Sequence, residues 1–167
     1  MLFWVLVIAI WMIGVLAYFC FYEAPDVEGA EVTVDMQIVA QIESSCNPMA
    51  YNERTQATGM YQITPICLAD YNNYHKGKFN LQEMFEEEKA RKVARWYCFV
   101  RVPQLLKHYG FVDTLDNRLI AYNYGIGNMK KNKHLALPKE TREYLLKYKK
   151  LRDRKELCPR ADHERGA

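Results

Sequence analysis

The sequence predicts a mainly α-helical globular domain behind an N-terminal transmembrane helix. Three observations carry that prediction. Residues 1–22, MLFWVLVIAIWMIGVLAYFCFY, contain no charged side chain. Beyond them, apolar residues recur at helical spacing, with Asp, Asn, Thr or Pro where helices should begin. Strand-like alternation is almost absent. A chain of 167 residues is enough for one compact domain with a short appendage at each end.

The uncharged run can cross a hydrocarbon layer of roughly 30 Å, which takes about 20 helical residues. A cleaved signal needs a positive n-region, a shorter apolar stretch and small residues before the cut. Here no basic side chain precedes Arg54, and Tyr18 and Phe19 stand directly before Cys20. The run is therefore read as a retained anchor. Residues 23–33 carry Glu23, Asp26, Glu28 and Glu31 with Pro25 and Gly29, the composition of an acidic linker. Nothing in the linker retains the following domain in the cytoplasm, so export is expected.

Residues 34–152 hold the expected domain. Val34, Ile38, Val39 and Ile42 recur at helical spacing, with Asp35 as cap. This helix should end by Asn47, because Pro48 disfavours helical geometry in the residue before it. Residues 49–63 read as irregular and briefly extended, with Gly59 supplying backbone freedom. Thr64-Pro65 pairs a hydroxyl cap with proline at the first helical position, opening a helix to about Tyr74. Asn80 should cap a longer amphipathic stretch through Trp96 and Phe99, kinked or divided at Pro103. Thr114 opens another helix to about Asn123, before Gly125 and Gly127. Pro138 opens the last one, whose Tyr144, Leu145, Tyr148 and Leu151 form one apolar stripe. Residues 153–167 read as a charged tail.

Charge and cysteines narrow the function. The formal net charge of +3 comes from a basic last third, Lys130 to Lys155. Such a run is read as a solvated helix face, and no nucleic-acid partner is expected because no reading element accompanies it. Cys46, Cys67, Cys98 and Cys158 in an exported domain allow up to two disulfides in three pairings. No C-x-x-C occurs, and the four histidines lack ligand spacing, so neither a metal site nor a cofactor is expected.

One short stretch raises a sharper question. In AQIESSCNPMAYN, residues 40–52, Glu43 falls on the last turn of an apolar helix that a polar loop stops at once. Taken alone, such a glutamate is ordinarily a solvated charge. Four stretches occur together, however: ESSCNPMAYN from Glu43, GMYQITP from Gly59, AYNYG from Ala121 and LPKETREYL from Leu137. In this order and spacing they resemble the lytic transglycosylase family, whose pattern is E-S then N-P, G-L-M-Q-I-x-P, A-Y-N-x-G, and a tyrosine after L-P-x-E-T. The resemblance covers roughly residues 34–150.

It implies the lysozyme-like fold shared by goose-type lysozymes and lytic transglycosylases. It implies Glu43 as the single catalytic acid and base, with Ser44 beside it. Gln62 matches a groove-lining glutamine, Tyr122 and Asn123 match cleft residues near the acid, and Tyr144 matches a tyrosine that contacts the catalytic carboxyl. Tyr61 stands where the family most often has methionine, and its ring is expected to face a sugar. The loop from Asn47 to Gly59 is one residue longer than the commonest form. The implied substrate is the β-1,4 bond between N-acetylmuramic acid and N-acetylglucosamine in peptidoglycan, cleaved with closure of a 1,6-anhydro ring. The implied location is the periplasmic side of the inner membrane, with envelope-spanning machinery a further possible partner.

The residues suit that chemistry. A hydrolytic glycosidase uses two carboxylates flanking the bond, and only Glu53, in a loop, lies near Glu43 in sequence. One carboxyl suffices when the substrate supplies its own nucleophile. Glu43 would protonate the leaving oxygen, then accept the C6 hydroxyl proton. An apolar setting raising its pKa from about 4.3 to about 6 would cost about 2.3 kcal/mol. The alternatives are a hydrolytic muramidase on the same scaffold and a non-catalytic wall-binding or assembly protein.

Overall fold

The computed structural model describes residues 32–133 and 135–154. The expected anchor at 1–22, most of the linker and most of the tail lie outside the described residues. Among those described, no helix is long and apolar enough to cross a membrane. The described residues from Thr33 to Arg154 belong to one compact unit, and it is mainly helical, as the sequence predicts.

Helix α1, Met36–Ser44, begins as expected: the Asp35 carboxylate accepts from the backbone N–H of Gln37 at 2.9 Å. It stops at Ser45 and Cys46, both in left-handed geometry, so Glu43 occupies the final turn. The following loop forms a short hairpin, β1 (Tyr51–Asn52) pairing antiparallel with β2 (Ala57–Thr58). The Asn52 side chain holds its turn by accepting from the N–H groups of Arg54 and Thr55. Helix α2, Pro65–His75, starts on the Thr64 hydroxyl, which accepts from Cys67 N–H at 3.3 Å.

Asn80 does cap a helical segment, through a reciprocal box with Glu83, but only a 3-10 turn, Leu81–Phe85. Helix α3, Glu87–Trp96, starts afresh after it. Pro103 does not divide the chain that follows. A π turn, Tyr97–Arg101, widens the backbone ladder just ahead of the missing N–H, and α4, Val102–His108, continues in right-handed geometry. Helix α5, Leu115–Ile120, is capped by Thr114. It passes directly into a second π turn, Ala121–Gly125, where the sequence predicts plain helix to about Asn123. Gly125, at a φ of 81°, ends it, and α6 (Ile126–Lys131) follows. Helix α7, Lys139–Arg154, closes the domain.

The core is built where α1, α3, α5 and α7 meet, from Ile38, Val39, Val93, Ala94, Leu119, Tyr144 and Tyr148. A second cluster, Val102, Leu106, Ile120, Ala121 and Met129, joins α4, α5 and α6. The apolar stripe expected on α7 is the one that packs: Tyr144 and Tyr148 are buried, and Leu145 and Leu151 lean on the core. At the entrance to α1 the Asp35 N–H donates to the Tyr148 hydroxyl at 2.7 Å. That bond locks α1 to α7, the two helices carrying Glu43 and Tyr144. Of the cysteines, Cys67 and Cys98 are free thiols while Cys46 is disulfide-bonded, so a two-disulfide framework does not form.

Candidate active site

Glu43, at the end of α1, interacts with Tyr122 on the second π turn and with Glu140 and Tyr144 on α7. The residue keeps some exposure, yet its carboxyl is densely surrounded by protein. Its pKa is pushed up from 4.5 to about 7. Burial is the largest cause, because a charged carboxylate loses its hydration. The Tyr144 phenol opposes this by stabilising the charged form, and the Glu140 carboxylate adds a smaller push upward. Among the described residues the Tyr144 hydroxyl makes no ordinary hydrogen bond. It lies close enough to act on the Glu43 charge without closing a bond of standard geometry. Tyr144 itself is driven well above the usual tyrosine pKa, first by burial and then by Glu43.

Tyr122 completes the aromatic surround. Its hydroxyl donates to the Tyr61 carbonyl at 2.9 Å, and its ring meets Tyr97 edge to face at 5.9 Å. Burial, then the Glu43 charge, raises its pKa well above the ordinary value. Asn123 follows it on the same π turn, half-buried, and its side chain has no hydrogen-bond partner among the described residues.

The remaining candidates act through the backbone. The Ser44 hydroxyl donates to the Met60 carbonyl at 2.9 Å and accepts the Asn47 N–H at 3.1 Å, pinning the end of α1 to the Gly59–Gln62 turn. Gln62, in left-handed geometry, donates from Nε2 to the Gly59 carbonyl at 3.0 Å. Gly59 is required there: at a φ of 78°, an added Cβ would lie 1.9 Å from the Met84 carbonyl oxygen. Tyr61 is only 3% exposed and packs in the main core, its hydroxyl toward Arg91. The ring that the sequence reading turned toward a sugar therefore faces protein. Its contribution to the cleft is the carbonyl that holds Tyr122.

Sequence reasoning missed Glu140, the acid whose charge reaches Glu43. It lies far away in the chain, but four residues before Tyr144 on α7, hence on the same helix face. That i, i+4 relation was available once Tyr144 was singled out.

A helical domain with a desolvated glutamate at the end of its first core helix, ringed by tyrosines, has a lysozyme-like arrangement. A family model described as Transglycosylase SLT domain matches residues 30–145, and the chain belongs to that family. No curated protein and no solved structure matches it. Membership supports a lytic transglycosylase-type activity on peptidoglycan.

Proposed function

We propose that the protein is a membrane-anchored peptidoglycan lytic transglycosylase in which Glu43 is the single acid and base. The observation that carries this is the buried Glu43 carboxyl, whose pKa of about 7 keeps it largely protonated in mild acid and about half protonated at neutral pH. A general acid works best with a pKa near the working pH. Glu43 donates its proton to the glycosidic oxygen between N-acetylmuramic acid and N-acetylglucosamine, and the C1–O bond breaks. The substrate's own C6 hydroxyl then attacks C1, and the Glu43 carboxylate takes that hydroxyl's proton. The site is thereby reset, and the product carries a 1,6-anhydro ring.

Tyr144 and Tyr122 supply the desolvated surround, and the Asn123 amide is open to a sugar. Ser44, Tyr61 and Gln62 shape the groove beside the acid through the backbone bonds described above. Residues 1–22 would hold the domain to the inner membrane on its periplasmic side, where peptidoglycan lies, and where envelope-spanning machinery would meet it. No cofactor enters the reaction.

Glu140 favours one competing reading, a hydrolytic muramidase, because it offers the second carboxylate that water activation needs. Digestion of purified sacculi followed by muropeptide mass spectrometry separates the two. The transglycosylase gives products one water lighter than the hydrolase. Glu43→Gln should lower cleavage by about 10²–10⁴-fold while glycan binding is retained. Reducing-end products, or unchanged turnover in Glu43→Gln, would remove the assignment.

A further inference from the structure

The face made by the end of α4, the loop after it and α6 takes no part in the proposed reaction. Lys107, Lys130, Lys131 and Lys133 are all exposed there. Lys130 holds its ammonium 4.7 Å from the centre of the Tyr109 ring, and Lys133 holds its own 5.4 Å from that of Phe111. Lys107 and Phe111 share a shallow depression with Pro103, Gln104 and Asp113. The one acid in that depression is engaged elsewhere: Asp113 receives the Arg118 guanidinium at 2.7 and 2.8 Å. Two large apolar side chains stand beside the lysines, Val112 at 73% and Leu135 at 69% exposure. Val112 follows Phe111 directly, and the Leu135 N–H closes a turn onto the Asn132 carbonyl at 2.9 Å, next to Lys133.

We propose that this face docks onto a membrane surface rich in anionic lipid headgroups. Lys107, Lys130, Lys131 and Lys133 meet lipid phosphates, and Val112, Leu135 and the edge of Phe111 enter the interfacial layer. Charge complementarity requires an anionic occupant, because like charges gathered on one face repel until a counter-charge arrives. The two apolar residues decide which anion. A nucleic acid or sugar-phosphate polymer would use the lysines and leave Val112 and Leu135 in water. An anionic bilayer offers phosphates and hydrocarbon at adjacent depths, which matches both halves of the patch. The rings under Lys130 and Lys133 hold those ammonium groups in place before contact.

The inference does not depend on the reaction assigned to Glu43. It bears on the site through geometry, since α6 follows directly on the turn carrying Tyr122 and Asn123. Docking would fix the height of the cleft above the bilayer.

The test adds the full-length protein to nanodiscs of phosphatidylcholine alone, or of phosphatidylcholine with phosphatidylglycerol, and follows amide exchange by mass spectrometry. The expected result is severalfold slower exchange across residues 107–112 and 128–136 with phosphatidylglycerol only, reversed by salt at about 1 M. The slowing should vanish when the four lysines are all changed to Glu, with exchange across α1 as the control for folding. A second variant, Val112→Ser with Leu135→Ser, keeps the lysines and should lose most of the slowing. Equal exchange in the two bilayers overturns the proposal. So does equal slowing by soluble glycerophosphate, which marks a free-phosphate site, or stronger slowing by duplex DNA that survives the serine variant.

Discussion

The cleft wall and the strip from Asn80 to Arg95 both depend on glutamates, and they use them in opposite ways. In the strip, Glu83 is held below the ordinary carboxylate range, chiefly because Lys89 donates to it at 2.7 Å and then because the Asn80 N–H does. Glu86 shares Lys89, and Glu87 pairs with Arg91 one helical turn on. Those acids are wet and paired with cations. Among the described residues no cation pairs with Glu43; burial dominates, and its pKa moves up to about 7. The side chain is the same in both places. Water and a partner cation make one a fixed charge, and their loss makes the other a proton carrier.

The most damaging way to break that contrast is Gly59→Ala. The methyl would meet the Met84 carbonyl oxygen at 1.9 Å in a backbone geometry L-residues rarely adopt, disrupting the turn that holds Ser44 and carries Tyr61. A loss of about 3 kcal/mol or more in chemical denaturation is expected, together with loss of cleavage.

Next comes the stability cost of Glu43 itself. In the fold the carboxyl keeps its proton up to about pH 7, whereas in the unfolded chain it releases it near 4.5. Between those values the native state binds more protons, so stability falls as pH rises. The whole cost, about 3 kcal/mol, is present above pH 7 and absent below pH 4.5. Glu43→Gln should therefore stabilise the protein at alkaline pH and leave it unchanged in acid. Denaturation curves of both proteins across that range check the sign.

Tyr144→Phe sharpens the comparison from within the cleft. The phenol lowers the Glu43 pKa, so removing it should move the alkaline limb of the cleavage profile to higher pH. Its readout is a pH–rate profile on sacculi. The smallest effect belongs to the strip: Glu83→Gln keeps the reciprocal cap with Asn80 and should leave both cleavage and its pH profile unchanged.

Much of this was legible in the chain. Asp35, Thr64 and Thr114 cap helices where their side chains and spacing said they would, because capping is a local hydrogen bond. The stripe of Tyr144 and Tyr148 is buried as its period required. Four ordered motifs were enough to single out Glu43. What escaped was non-local. Tyr61 reads as a groove aromatic beside Gln62, yet its left-handed neighbour turns the ring into the core toward Arg91. Both π turns look like ordinary helix from composition, since an extra residue per turn leaves no mark on residue type. Glu140 shares a helix face with Tyr144, but its bearing on Glu43 comes from the packing of α7 against α1.

The most direct measurement is a carbon-13 NMR titration of the Glu43 side-chain carboxyl in the ligand-free protein, assigned with Glu43→Gln. A midpoint near 7 is the predicted result. A midpoint near 4.5 would mean that the carboxyl is hydrated and charged at neutral pH, and the single-acid account would fail.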